Sequence, residues 1–126
     1  MHDSQRPVLI VDTYESTRRI ARALLAHLGY ADVEEAADES AAFEKLRERR
    51  FSLVMSGLSV ASEAGIAFLR AVRSHALLKS TPVIVMTANA DQEPILAAQA
   101  AGATGYIVKP LTAPDLKRKI DAALAA

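Results

Sequence analysis

Five short apolar runs alternate along this chain with five longer segments in which apolar residues recur at helical spacing. The apolar runs cover residues 8–11, 33–37, 53–55, 82–87 and 106–108. Strands that are apolar on both faces are typical of a parallel sheet with helices packed on each side. Because crossovers between parallel strands are right-handed, the alternation predicts an α/β fold, a five-stranded parallel doubly wound sheet with five helices.

Each helical segment carries an apolar stripe that should face the sheet. The stripes are Ile20, Ala21, Leu24, Leu25 and Leu28 in the first helix, Phe43 and Leu46 in the second, Ile66, Leu69 and Val72 in the third, and Leu116, Ile120 and Leu124 in the last. An Ala-rich fourth helix runs from about Ile95 to Ala101. Gly29 and Gly102 follow the first and fourth helices, where glycine commonly ends a helix.

Composition excludes several classes of function. Fifteen Lys and Arg residues are balanced by fifteen Asp and Glu residues, so the chain lacks the basic excess of a non-specific DNA-binding protein. No apolar run reaches the ~18 residues of a membrane span, and the N-terminus shows no signal peptide. The absence of cysteine excludes disulfides and thiolate chemistry, and three distant histidines show no metal-ligand spacing. We expect one cytoplasmic domain over residues 1–126, with no output domain, no DNA partner and no membrane contact.

The residues that follow the strands are polar. Asp12 follows the first strand, Ser56 and Gly57 the third, Thr87 ends the fourth, and Lys109 follows the fifth. In doubly wound sheets, ligands bind beyond the carboxyl ends of the strands. These positions therefore predict a crevice where an acid, a hydroxyl and a lysine meet, although each residue alone is also an ordinary strand end or surface side chain.

Three segments carry a resemblance to a known family. They are VLIVD at 8–12, PVIVMTA at 82–88 and AGATGYIVKP at 101–110. Together they resemble the receiver domains of two-component response regulators, above all the stand-alone CheY-like regulators, over nearly the whole chain. The resemblance implies a flavodoxin-like or CheY-like three-layer sandwich, in agreement with the periodicity.

The resemblance also implies roles for single residues. In the family, two acids after the first strand and an aspartate after the third hold Mg²⁺, and that aspartate accepts a phosphoryl group from a histidine kinase. Asp12 corresponds to the first acid, Thr87 to a hydroxyl and Lys109 to a lysine that contact the phosphoryl group. Tyr106 corresponds to an aromatic residue that changes rotamer on activation.

Two positions depart from the family pattern. Thr13 stands in place of the second acid and Gly57 in place of the phosphoacceptor aspartate. Glycine has no nucleophile, and the hydroxyls of Ser56 and Ser59 do not replace a carboxylate. One remaining carboxylate should bind Mg²⁺ weakly or not at all. We therefore expect a pseudo-receiver with no cofactor, no metal and no catalytic residue.

The loss of two acids changes the surroundings of Lys109. Asp12 is its obvious remaining partner, so an Asp12–Lys109 ion pair could hold the strand ends in one arrangement without phosphate. Alternatively, the lysine and the strand-end amides could admit an anion.

The family's usual partner surface is formed by the fourth helix, the fifth strand and the fifth helix. In this chain it would present Ala90, Ile95, Ala103, Tyr106, Val108 and Lys119. Small and apolar side chains suit a partner helix, although some of them could simply be residues at the edge of the core. Arg18 and Arg22 form a basic pair on the first helix, which is either a solvated face or a contact for an acidic partner.

The leading hypothesis is a non-enzymatic receiver in two-component or chemotaxis-like signalling that acts by phosphorylation-independent protein–protein interaction. Its partner would be a histidine kinase, a motor switch component or another regulator. The alternatives are a true phosphate-accepting regulator with a rearranged site, and a sensor of a small anion or nucleotide in the vacated crevice. No Gly-rich phosphate loop follows the first strand, which counts against ordinary nucleotide binding.

Overall fold

Strands and helices alternate throughout the computed structural model, which describes residues 6–59, 63–88 and 92–125. The elements are β1 (Val8–Val11), α1 (Glu15–His27), β2 (Val33–Ala36), α2 (Glu39–Glu48), β3 (Leu53–Ser56), α3 (Glu63–Ser74), β4 (Val83–Thr87), α4 (Gln92–Ala100), β5 (Gly105–Val108) and α5 (Ala113–Ala125). The strands form one parallel sheet in the order β2-β1-β3-β4-β5. The predicted doubly wound α/β fold is therefore confirmed.

The sheet separates two apolar cores, because the side chains of each buried strand alternate between its faces. Helices α2, α3 and α4 cover one face, where Phe68 and Leu69 are among the buried side chains. Helices α1 and α5 cover the other face, with Leu25, Leu116 and Ile120 at its centre. Nearly all of the buried side chains are aliphatic, so packing of aliphatic groups holds the strand ends in register.

The structure corrects two local predictions. Ser56 was predicted to follow the third strand, but it is the last residue of β3 and is buried, since its pairing with Val11 extends the parallel ladder. Ile20 was predicted to lie on the buried stripe of α1, but its side chain is 53% exposed. The helix instead buries Ala21 and Leu25, because its rotation on the sheet turns Ile20 toward the loop that follows β5.

Two glycines end helices in the predicted way. Gly29 after α1 and Gly102 after α4 have φ values of 100° and 110°. This left-handed conformation is strained for residues with a Cβ atom and is accessible to glycine. The chain can therefore reverse direction directly after both helices and enter the next strand.

The helices are short relative to a bilayer. Within the described residues the longest helices, α1 and α5, have 13 residues each, which corresponds to about 20 Å at the rise of an α-helix, against about 30 Å for the hydrocarbon core. Across the three described ranges, no helix has both the length and the apolar character needed to cross a membrane.

The edge strand β2 carries acidic side chains that bind neighbouring helices. Glu34 accepts hydrogen bonds from Lys45 at 3.0 Å and from Arg49 at 2.9 Å. The bond from Lys45 lowers the pKa of Glu34 from its ordinary value of 4.5, while burial opposes this effect and Arg49 adds to it. These ion pairs fasten the end of α2 to the sheet edge.

We expect Glu34→Gln to lower the free energy of unfolding at neutral pH by about 0.5 kcal/mol, since the ion pairs are partly exposed. The pKa of Glu34 is lower in the folded chain, so its stabilising effect is present above about pH 4.5 and is lost as the pH falls through the folded value. Urea unfolding at several pH values should show the variant and native chains converging in acid. Glu15→Gln is a matched control, because Glu15 is 73% exposed and should show little effect. A pH-independent difference between the native chain and the Glu34 variant would contradict this account.

Candidate functional site

The carboxyl ends of β1, β3, β4 and β5 lie side by side in the sheet. Backbone hydrogen bonds continue past these ends. The amide of Gly57 donates to the carbonyl of Val11 at 2.6 Å, and the amide of Lys109 donates to the carbonyl of Thr87 at 2.7 Å. This pairing gathers the residues that the sequence singled out at the carboxyl ends of the strands, namely Asp12, Gly57, Thr87 and Lys109.

Asp12 is the most buried charged group at these strand ends, with 1% of its surface exposed. Its Oδ1 accepts a hydrogen bond from the amide of Tyr14 at 2.9 Å, and its Oδ2 accepts one from Lys109 Nζ at 3.2 Å. The Lys109 side chain is 24% exposed, so the ion pair lies largely out of water. The ion pair that the sequence suggested is therefore present, and both carboxylate oxygens of Asp12 have partners.

Gly57 leaves a space that Asp12 fills. A Cβ atom built on Gly57 would lie 1.8 Å from Asp12 Oδ2 and 2.6 Å from Asp12 Cγ. Both distances are far below van der Waals contact, so any side chain at position 57 would have to displace the carboxylate. Asp12 can take its present position, next to Lys109, only because residue 57 has no side chain.

The other polar residues near the site differ in how far they are buried. Thr13 is exposed in the loop after β1, and Thr87 is half-buried at the end of β4. Ser56 is buried, and its Oγ lies 3.4 Å from the amide of Leu58 within the turn after β3. Ser59 is exposed. The structure thus brings Asp12, Gly57 and Lys109 into direct proximity and leaves Thr13 outside that contact.

Arg18 is a site residue that the sequence did not reveal. Its Nη1 donates to the carbonyl of Asp12 at 2.7 Å, and its Nε donates to Glu35 Oε1 on β2 at 3.0 Å. Arg22 Nε donates to the second oxygen of Glu35 at 2.6 Å. Burial raises the pKa of Glu35, but the hydrogen bonds from Arg22 and Arg18 outweigh it, so the pKa lies below its ordinary value. Both arginines therefore bind Glu35 within the chain. Arg22 is also exposed, in agreement with a solvated face, whereas Arg18 is largely buried, and contact with an acidic partner stays a prediction.

The predicted partner surface lies at the β5 edge of the sheet. Ile95, Ala103, Tyr106, Val108 and Lys119 are all half-buried there, and Ala90 lies outside the described residues. Lys119 Nζ lies 4.6 Å from the centre of the Tyr106 ring, a cation–π distance. The ring also packs against the core under α4. Binding of a partner at these residues stays a prediction.

An apolar cavity of about 170 Å³ adjoins the site between α1 and the loop after β5. Thr17, Ile20, Lys109, Pro110 and Leu111 line it. Lys109 is its charged residue, and that lysine already binds Asp12. Among the residues that the structure describes, no three acidic or histidine side chains are grouped closely enough to hold a metal ion.

Comparisons with known proteins place this geometry in context. The family model of the response regulator receiver domain matches residues 8–121. The chemotaxis protein CheY of Pseudomonas aeruginosa is 40% identical over 114 residues, which cover 90% of this chain and 92% of that protein. CheY-3 of Vibrio cholerae is also 40% identical, over 90% of this chain and 88% of its own length.

Solved structures show the same fold. The structure of the chemotaxis protein CheY4 of Vibrio cholerae superposes with a TM-score of 0.85 at 33% identity, over 94% of this chain and 98% of that one. A response regulator structure from Chloroflexus aurantiacus reaches a TM-score of 0.88 at 26% identity, over 96% of this chain and 98% of its own. The three chains therefore share the same overall fold.

Proposed function

The chain belongs to the response regulator receiver domain family, and we propose that it is a CheY-like receiver which binds its partner without first being phosphorylated. The observation that carries the proposal is the position of the Asp12 carboxylate in the side-chain space of Gly57. The chemotaxis proteins among its relatives indicate two-component or chemotaxis signalling as the process.

Phosphoryl acceptance at position 57 requires a nucleophile. A phosphoaspartate forms when a carboxylate oxygen attacks phosphorus, and glycine offers no such oxygen. The neighbouring carboxylate of Asp12 is buried, and its Oδ2 is paired with Lys109. The groups that would approach a phosphoryl donor are therefore bound to each other, which supports a signalling protein that is not an enzyme.

The family resemblance implies a bound Mg²⁺ ion, but the residues at this site do not supply the ligands that Mg²⁺ needs. Mg²⁺ favours an octahedral set of oxygen ligands that includes carboxylates. Thr13 and Gly57 supply no carboxylate, and the two oxygens of Asp12 accept from Tyr14 and Lys109. The ammonium group of Lys109 also repels a cation at this position. We therefore expect weak Mg²⁺ binding or none.

A protein partner is the remaining route for a signal. Candidates are a histidine kinase, a motor switch component or another regulator. The half-buried set at the β5 edge offers apolar side chains together with the Lys119 ammonium above the Tyr106 ring. Such a surface suits a partner helix with an apolar stripe. The Asp12–Lys109 ion pair would hold the strand ends in one arrangement for that partner in the absence of phosphate.

The test is an NMR titration with Mg²⁺ followed by beryllofluoride, a mimic of the phosphoryl group on aspartate. We expect no saturable shift of the amides of Thr87, Ala88 and Tyr106 at millimolar Mg²⁺. A Thr13→Asp, Gly57→Asp double variant is the matched control, because it returns two carboxylates to the crevice and should respond. The Kd of a candidate partner should also be the same with and without Mg²⁺ and acetyl phosphate. Saturable shifts in the native chain would overturn the proposal in favour of a rearranged phosphate-accepting site.

A further inference from the structure

The side chain of Arg18 links the loop that carries Asp12 to Glu35 on the edge strand β2. We propose that Arg18 is a positioning residue. It holds the Asp12 carboxylate in the side-chain space of Gly57 and in its ion pair with Lys109, and this arrangement closes the site. The inference deepens the proposed function and rests on it, because the closed site is taken there as the state that signals without phosphate.

The guanidinium group of Arg18 donates in two directions. On one side it reaches the carbonyl of Asp12 at 2.7 Å and, more weakly, the carbonyl of Thr13 at 3.4 Å. On the other side it binds Glu35 of β2 at 3.0 Å. The side chain is only 16% exposed. A planar guanidinium with several donors in a rigid fork can make these contacts together.

These contacts act on the position of the Asp12 carboxylate through the backbone. The amide of Asp12 donates to the carbonyl of Ala36 at 3.1 Å, and its own carbonyl accepts from Arg18. With both peptide groups of Asp12 held, its Cα–Cβ bond has one direction relative to Gly57. The carboxylate then lies where it accepts from the amide of Tyr14 and from Lys109.

Comparison with Arg22 distinguishes a positioning role of Arg18 from ordinary ion pairing with Glu35. It binds the same carboxylate of Glu35 at 2.6 Å, a shorter distance than that of Arg18. None of its described hydrogen bonds reaches the loop after β1. If Arg18 acted only by neutralising Glu35, removal of either arginine would have the same effect on the site.

The experiment compares Arg18→Ala, Arg18→Lys and Arg22→Ala by amide hydrogen exchange of the Tyr14 N–H, measured relative to the core amide of Ile84. Because the Tyr14 amide donates to Asp12, we expect its relative exchange to rise about tenfold or more in Arg18→Ala and to stay within about twofold in Arg22→Ala. Arg18→Lys should be intermediate, since one ammonium group cannot make both contacts. The NMR signal that reports the contact between the Lys109 ammonium and Asp12 should weaken most in Arg18→Ala, less in Arg18→Lys and least in Arg22→Ala.

Equal changes in the two alanine variants, or no change in Arg18→Ala, would overturn the inference. All of these measurements use the free 126-residue chain without Mg²⁺, beryllofluoride or a partner. Failure here would leave the proposed function in place. A saturable beryllofluoride response of the native chain would overturn the proposed function while leaving the positioning role of Arg18 to be decided by exchange.

Discussion

Replacing Lys109 with methionine should lower the free energy of unfolding by about 3 kcal/mol, because it leaves the Asp12 carboxylate buried without its charged partner. Methionine keeps much of the aliphatic length of lysine, so the change tests charge more than packing. The measurement is chemical denaturation at neutral pH. An effect within about 0.5 kcal/mol, the usual range for surface positions, would mean that the ion pair contributes little.

A double variant supplies the control for this prediction. Asp12→Asn together with Lys109→Met removes both charges and leaves a neutral amide that can still accept from the Tyr14 amide. Replacing both members of a buried ion pair with neutral groups is often close to neutral in stability, whereas removing one member is costly. The double variant should therefore be more stable than Lys109→Met alone. If it were equally unstable, loss of lysine packing would be the cause.

Gly57→Ala should also destabilise the chain, by about 2 kcal/mol or more. The new Cβ would lie 1.8 Å from Asp12 Oδ2, so the carboxylate must rotate away and give up its ion pair with Lys109. An alanine at a glycine with ordinary φ would otherwise be neutral or slightly stabilising. The expected sign therefore depends on Asp12, and urea unfolding measures it directly.

The matched measurement repeats Gly57→Ala in an Asp12→Ala background. There the colliding carboxylate is absent, although the remaining Cβ at position 12 lies 3.2 Å from the new one. Most of the cost should disappear, which gives a coupling energy of about 2 kcal/mol between the two positions. Equal costs in both backgrounds would show that the backbone at Gly57, and not Asp12, limits the side chain there.

The crowding between Asp12 and position 57 also affects any carboxylate introduced there. An aspartate introduced at position 57 alone would place a second carboxylate against that of Asp12, in the space that Asp12 fills. Like charges in contact are unfavourable in a buried site. Mg²⁺ offsets such repulsion only when enough oxygen ligands surround it. Gly57→Asp alone leaves position 13 without a carboxylate, so the single variant should not show the Mg²⁺ response that we expect of the Thr13→Asp, Gly57→Asp double variant.

The local sequence determined which segments form strands and which form helices. The apolar run before Asp12 and the run that ends at Thr87 are buried strands as predicted. Gly29 follows α1 and Gly102 follows α4, and both end their helices as predicted. Such features depend on periodicity, β-branched content and glycine, all of which can be recognised within a few residues. The meeting of Asp12 with Lys109 also followed from the sequence, since a doubly wound sheet brings the carboxyl ends of its strands together.

The tertiary structure alone decided how these residues use the space between them. Ile20 is exposed, Arg18 turns inward to the loop, and Asp12 fills the space beside Gly57. Each depends on the rotation of α1 on the sheet and on the register of β1 with β3, which involve residues far apart in the chain. Amphipathic spacing leaves the rotation of a helix uncertain by tens of degrees, and a side chain selects among its rotamers by the contacts available. The sequence therefore determined the fold and brought Asp12, Gly57 and Lys109 together, whereas tertiary packing added Arg18 to the site and placed the Asp12 carboxylate in the side-chain space of Gly57.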